Sequence, residues 1–475
     1  MDRYITWVRL GSYLLAGGTA TLLAVPAQAD DTARTNWLQV AESGEGGEGA
    51  EGGEGSEGGG SLDSYSLSST DPNAFKYDAA AEIAGYADLV HESYEAAYRE
   101  AEKLDRAIDA LLDTPTEETL AAARNAWINA RPAYLMTEAF RFYDGPIDVS
   151  AEGGDGPEGR INSWPMNEAV IDYVQGGEEG GLIADTSKEI TEEVIVDSNQ
   201  VNDEADVTTG WHAIEFLLWG QDLSATGPGA RPASDFVAGD AKNDRRRQYL
   251  QIVTHLLVED LEGLADQWAP GAGAGGAGGA GGEGGEGGEG GEAAQSGEGG
   301  EEGGDGADGA AGAGGNYRAT FLALPQREAI GRIFAGIAQL AGFEMASERL
   351  AVALDSGSQE DEHSCFSDNT TFDHIFDLQG IRNVWFGSVT DHQFPGLIDA
   401  ATRVDPVAAA MVTARLNAAQ NALEAIDRPF DRVLASPKGS PAREEAEHAV
   451  KALGDLATAL QEMGAKMGVL VLVGG

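Results

Sequence analysis

Between Ile83 and Leu111 the residues Ile83, Tyr86, Ala87, Val90, Tyr94, Ala97, Tyr98, Ala101, Leu104, Ile108 and Leu111 recur at steps of three and four. That spacing places them on one face of a long helix, and a stripe of that length must be buried against other helices. The sequence Thr114-Pro115-Thr116-Glu117-Glu118 then breaks the pattern and starts another helix with acidic residues in its first turn. This second helix carries Leu120, Trp127, Tyr134 and Met136, and Pro132 is expected to bend it. Helical patterns return over Asn167–Val174, Asp203–Trp219, Arg245–Trp268, Gln326–Leu354, Pro406–Leu434 and Pro441–Met463. Strand-type alternation is scarce, with Glu192–Val196 the best short candidate. The expected fold class is all-α, built as helical bundles.

Two low-complexity tracts punctuate this pattern. Glu42–Gly60 repeats Gly-Glu-Gly, and Gly271–Gly315 is a longer Gly/Ala/Glu stretch. Neither can bury enough apolar area to offset its conformational entropy, so long disordered Gly/Glu-rich tracts are expected. They divide the chain into an acidic linker over 30–71, an N-terminal helical half over 72–268, a flexible insertion over 269–316 and a C-terminal helical half over 317–475. Residues 1–29 read as a signal peptide: Arg3 and Arg9 flank the start, Gly11–Val25 is apolar, and Ala27-Gln28-Ala29 precedes Asp30. No later segment approaches a run of about 20 apolar residues, so no transmembrane segment is expected in the mature chain.

Charge narrows the partners. With 80 Asp and Glu against 30 Lys and Arg, the net charge of -50 argues against nucleic acid and against an anionic lipid surface. Cation attraction and solubility are the readings left. Cys365 is the single cysteine, so neither an internal disulfide nor a cysteine metal cluster can form.

The chemistry-bearing candidates are few. His212 and Glu215 lie three apart in an apolar helix, Gly210–Trp219, so both side chains share a face and one cation could be bound between them. Imidazole with carboxylate suits Zn, Fe or Mn, although a buried hydrogen-bonded couple has the same spacing. Glu138 falls on one stripe of the second helix with Arg131 and is followed by Arg141. It is therefore either an ion-pair partner or a metal ligand. Asp144, Asp148 and Asp155 follow in a Gly-rich loop and could complete a ligand shell. A second polar cluster runs through Glu360, Asp361, Glu362, His363 and Asp368 around Cys365. It reads either as a capped loop or as a contribution of the second half to a site between the halves. His91, His255, His374, His392 and His448 have no acidic partner at persuasive spacing and are expected to be structural or at the surface. No His-Glu-x-x-His zinc-peptidase motif occurs.

Four separated blocks, Trp127–Arg141, Arg160–Pro165, Gly210–Asp222 and Glu360–Thr370, together resemble the imelysin family, the insulin-cleaving-metalloprotease-like, iron-regulated proteins of the bacterial cell envelope. The resemblance runs from about Phe75 to the C-terminus outside the Gly-rich tract. It implies a two-part, all-helical fold and a Gly-x-His-x-x-Glu metal site at His212 and Glu215, with Glu138 as a further ligand. Arg131, Arg141, Asp144, Glu362, His363 and Asp368 are the candidate lining residues. The expected cofactor is one divalent or trivalent metal ion, iron favoured and zinc the alternative. Expected partners are that ion and envelope iron-uptake components. The expected location is exported, periplasmic or outer-membrane-associated in a Gram-negative-type bacterium. Whether such a chain is an enzyme stays open: the family is classed with metallopeptidases, but no general base is identifiable. The alternatives are thus a zinc-type metallopeptidase for exported peptides and a non-catalytic module binding peptide or polysaccharide.

Overall fold

The computed structural model describes residues 65–66, 75–150, 153–177, 180–271 and 316–473. All of these fall within one compact unit, residues 53–475. The segment read as a signal peptide, and nearly all of both Gly/Glu-rich tracts, lie outside the described residues. Among the described residues the fold is all-helical apart from short antiparallel pairs: β1 (Tyr65–Ser66) with β4 (Leu470–Val471), and β2 (Ser388–Val389) with β3 (His392–Gln393).

The first long stripe becomes α1 (Ala80–Asp113), which buries Tyr86, Val90, Tyr94, Ala97, Leu104 and Ile108. It packs on α2 (Glu117–Leu135) and α4 (Ala241–Trp268). The start of α2 is a reciprocal cap. Thr116 Oγ1 accepts from the Thr119 N–H at 3.2 Å, and Thr119 Oγ1 accepts from the Thr116 N–H at 3.0 Å, so donors that a helix start leaves unpaired are satisfied. Pro132 lies inside the last turn of α2. Between α2 and α4 comes α3 (Gly210–Trp219), all of whose residues are buried.

After the Gly-rich tract the chain continues as α5 (Tyr317–Ala323), α6 (Gln326–Gln339), α7 (Thr370–Phe386), α8 (Leu397–Val404), α9 (Pro406–Ala425) and α10 (Pro441–Lys466). Helices α9 and α10 pack together, and α6 lies on α10. Helix α7 crosses the end of α2, and a Cβ at Gly380 would sit 2.4 Å from the Met136 carbonyl oxygen. Only glycine permits that approach, which carries residues of the second half to the end of α2.

Several elements differ from the sequence expectation. Glu192–Val196 is a helical turn rather than a strand. Thr191 Oγ1 caps it by accepting from the Val194 N–H at 3.3 Å, and Glu192 and Glu193 complement the helix dipole. Asn167–Val174 contains only the 3-10 turn Glu168–Val170, and the expected helix from Asp203 begins at Gly210. Pro406–Leu434 is interrupted after Ala425 and resumes as a turn at Asp431–Leu434. The stretch Gln326–Leu354 is not one α-helix, because Leu340–Ala351 is wound as a π-helix. That winding lets Arg349 Nε donate at 2.9 Å to Glu344, five residues earlier, a pair that ordinary α-helical spacing would not align.

Candidate metal centre

The site is built on α3. Gly210 adopts φ +78°, and a Cβ there would meet the Ile161 and Arg160 carbonyl oxygens at 2.3 and 2.5 Å. The glycine of the Gly-x-His-x-x-Glu pattern is thus required by the backbone: α3 begins pressed against the end of the helical turn Glu158–Ile161. One turn later His212 Nδ1 lies 3.0 Å from Glu215 Oε2, with the two residues only 1% and 0% exposed. The spacing argument therefore placed these two side chains together.

A second couple faces the first. His363 Nδ1 lies 2.8 Å from Asp373 Oδ2, and Asp373 also accepts from Ser364 Oγ at 2.5 Å and Asn369 Nδ2 at 2.7 Å. The His212 and His363 ring centroids are 4.8 Å apart, edge to face. The segment carrying His363 also holds the first couple, since the Ser367 N–H and Oγ donate to Glu215 Oε1 at 2.9 and 2.6 Å. Arg131 closes the arrangement. Its guanidinium donates to Asn162 Oδ1 at 2.6 Å and lies 3.3 Å from His212 Nε2 and 3.4 Å from Asp373 Oδ2. The Trp127, Tyr134 and Trp211 rings surround it with centroids at 5.6, 5.6 and 5.5 Å.

These contacts fix protons. Arg131 can only donate, so His212 Nε2 is an acceptor and Nδ1 carries the hydrogen directed at Glu215. Burial, then the Arg131 charge, then His363 hold the His212 imidazole well below its ordinary pKa. Burial and the Arg349 and Arg131 charges do the same to His363. Both rings are neutral at pH 7. Burial pushes the Glu215 carboxyl up to about 8, against the pull of its Ser367 hydrogen bonds.

The other candidates divide. Glu138 is fully buried but does not touch His212 or Glu215; it accepts from Arg141 and Arg349, each at 2.8 Å. Burial would raise its pKa, and the two guanidinium groups overcome that and bring it down to about 2. Its link to the histidines runs through Asn162, whose Nδ2 donates to Glu138 at 3.4 Å. Arg141 extends this ion network to Glu158 at 3.2 Å. Asp144 and Asp155 are exposed, while Asp148 accepts the N–H groups of Phe142, Tyr143 and Gly145 and so caps its own loop. Glu362 is buried, with Thr370 Oγ1 donating to it at 3.1 Å. Asp368 is half-buried, within 4.8 Å of Asp222 and Asp431 ligand atoms.

Sequence reasoning missed Asp373, Ser367 and Asn162, which hold His363, Glu215 and Arg131 respectively. It also set His374 aside for lack of an acidic partner, yet Asp377, three residues on, lies 4.0 Å from it in the core. That i, i+3 spacing was visible in the sequence. His363 is engaged with Asp373, and burial raises the Cys365 thiol pKa.

The donor chemistry fits a metal ion. His363 presents Nδ1 to Asp373 and leaves Nε2 as a donor atom, the usual way a metal-ligating histidine is oriented, whereas the His212 Nε2 lone pair accepts from Arg131. His363 Nε2 is buried without a hydrogen-bond partner, a lone pair of the kind a cation satisfies. Among the described residues, no three His, Cys, Asp or Glu ligand atoms that include His212 lie within 4.8 Å of one another. Arg131 sits beside His212 Nε2 instead.

The imelysin family profile matches residues 90–288 and 304–460. The chain belongs to the imelysin family. It is 26% identical over 383 residues to "Iron-regulated protein A" of Synechococcus elongatus, a match covering 78% of this chain and 83% of that protein. The crystal structure of an iron-regulated protein A precursor from Parabacteroides distasonis has the same fold. Its TM-score is 0.57 at 17% identity, over 85% of this chain and 97% of that one. The all-helical architecture expected from the periodicity is thus the imelysin architecture. No helix among the described residues is long and apolar enough to cross a membrane.

Proposed function

We propose that this imelysin-family chain is an exported envelope protein that binds one metal ion, iron in preference to zinc, in iron uptake or homeostasis. His212 and His363 supply Nε2 ligands, and Glu215 and Asp373 orient them. The observation that carries this reading is the pair of carboxylate-held neutral imidazoles 4.8 Å apart, one with a buried unpartnered Nε2. Neutral imidazole suits borderline metals such as Fe and Zn, and the relative from Synechococcus elongatus bears the name iron-regulated protein A. Glu215 thereby acts on the ion through His212, and Glu138 serves the ion network rather than the metal. In this role the protein binds and holds: no bond of a substrate is made or broken.

The peptidase alternative finds less support. A polypeptide would have to reach side chains no more than 1% exposed. Glu215 and Asp373, the carboxylates at the imidazoles, are both engaged by other donors, whereas a metallopeptidase needs one free to act as base. The deciding experiment is metal analysis of the purified chain after loading with iron or zinc, for the parent, His212→Ala and His363→Ala. About one ion per chain in the parent, lost in both variants with the helical circular dichroism retained, is the expected result. Equal metal content in all three sinks the assignment.

A further inference from the structure

A second group of acids lies beyond the C-terminal end of α3, and none of its members is used by the histidine couples. Asp222 follows α3, Asp368 precedes α7, and Asp431 opens the turn before α10. One ligand oxygen from each lies within 4.8 Å of the other two. Three carboxylates at that separation repel, and folding brings them together from positions 146 and 63 residues apart (368 less 222, and 431 less 368). A single amide ties two of them: Gln359 Nε2 donates to Asp222 Oδ2 at 3.3 Å and to Asp431 Oδ1.

The separate observation is what is left unpaired. Asp431 is 1% exposed and no N–H or hydroxyl donor reaches its Oδ2; its carboxyl is instead in hydrogen-bond contact with the carboxyls of Glu362 and Asp368, where a shared proton or cation must sit. Glu362 is 0% exposed and no N–H or hydroxyl donor reaches its Oε1 either, although its other oxygen is held by Thr370. The charges acting on Glu362 are those of Asp431 and Asp368, so a fourth, buried carboxyl lies beside two of the three. Carboxylate oxygens are acceptors only, and buried acceptors facing one another are satisfied by a shared cation or proton. Exposed Arg432 acts on Asp368 but gives no hydrogen bond to Glu362 Oε1 or Asp431 Oδ2.

We infer that Asp222, Asp368, Asp431 and Glu362 form a site for a hard divalent cation, with Ca2+ the ion of choice, separate from the His212–His363 pair. Oxygen-only donors select hard cations over the borderline ions that imidazole prefers. Asp222 and Asp368 are half-buried, which leaves a side open for the ion and its waters. The site joins the end of α3 to the segment that carries His363 and Ser367. A bound cation therefore stabilises the loop that holds Glu215 in place. This inference does not depend on the identity of the ion at the histidines.

The test uses the full chain, stripped with EDTA and titrated with Ca2+ by calorimetry and with Tb3+ by luminescence sensitised from tryptophan. The parent, Asp431→Asn, Asp368→Asn and His212→Ala are compared, and the Gly/Glu tracts, present in all four, set the background of weak binding. One saturable Ca2+ per chain is expected in the parent. It is weakened at least about tenfold in each aspartate variant, since ligand charge sets Ca2+ affinity, and retained in His212→Ala. Saturating Ca2+ raises the thermal midpoint of the parent, as binding to the native state alone requires, but not that of the aspartate variants. Absence of a saturable site above background overturns the inference, as does a site that survives both aspartate variants. It fails equally if Asp431→Asn and Asp368→Asn unfold at lower temperature than the parent in EDTA, because the acids would then hold the fold without an ion.

Discussion

Arg131 gives the sharpest test of where the metal binds, because stability and affinity should move in opposite directions when it is removed. Its guanidinium nitrogen lies 3.3 Å from His212 Nε2, the atom proposed to ligate. A metal on that nitrogen would take the lone pair that Arg131 now occupies, so the guanidinium would have to move aside, leaving its charge roughly 4 Å from the ion. At an effective dielectric constant of about 20, two unit charges at that separation repel by about 4 kcal/mol, and a divalent ion by twice as much. Side-chain relaxation absorbs much of this, but a residue of about 2 kcal/mol already exceeds tenfold in affinity. Arg131→Met should therefore tighten iron or zinc binding at least about tenfold in a chelator competition assay. The same change strips Asp373 of a buried cationic partner at 3.4 Å and should cost about 3–5 kcal/mol in urea unfolding with EDTA present. Arg131→Lys keeps the charge and should bring no gain in affinity. If Arg131→Met binds metal more weakly, in step with its lost stability, the donor atoms are not the Nε2 nitrogens and the site must be redrawn.

Four further outcomes follow from the same contacts. Glu138→Gln leaves Arg141 and Arg349 facing a neutral group in the core; it should cost about 3–5 kcal/mol in denaturant unfolding with the metal content unchanged, which would separate it from the ligands. Ser367→Ala deletes a 2.6 Å hydrogen bond to Glu215 and keeps the backbone one, so unfolding titrations should show a loss of about 1.5–3 kcal/mol and chelator competition a few-fold weaker metal binding. Gly210→Ala forces a side chain onto φ +78° and into two carbonyl oxygens. The left-handed backbone alone costs about 1–2 kcal/mol, so thermal unfolding should shift down and metal binding fall with it. The pH test concerns His374, whose pKa burial and then the Arg349 charge depress from 6.5 to about 3. The unfolded chain takes up that proton below pH 6.5 and the folded chain does not, so this contribution is complete above pH 6.5 and lost as pH falls toward 3. At pH 5 the loss is about 2 kcal/mol, 1.36 kcal/mol for each unit below 6.5. Glu215, raised to about 8, acts in the opposite sense, gaining stability as pH falls from 8. The difference between the pH profiles of His374→Gln and the parent isolates the histidine, and identical profiles would refute the assignment.

What the sequence revealed of this site, and what it hid, separates along one physical line. His212 and Glu215 were legible because their contact is local: three residues on a helix determine it, and the apolar neighbours of α3 made burial unavoidable. The long helices were legible for the same reason, since the stripe of α1 is a property of its own residues. The partners of those side chains were not. His363 finds Asp373 across a connection and a helix start, Ser367 reaches Glu215 over 152 positions, and Arg131 meets Asp373 over 242. No periodicity encodes such pairings, because they depend on how separate elements pack, as where Gly380 lets α7 approach the end of α2. The π-helix is the intermediate case: its apolar stripe looks α-helical, and the wider winding goes with Arg349 meeting Glu344, Glu138 and Asp377 together. Glu138 was left with two readings for a related reason. A buried carboxylate among aromatics needs a positive charge, and the sequence could not tell whether an ion or two distant arginines would supply it. Two arginines supply it to Glu138, whereas among the described residues no N–H or hydroxyl donor reaches His363 Nε2, Asp431 Oδ2 or Glu362 Oε1, the atoms at which cations are proposed to bind.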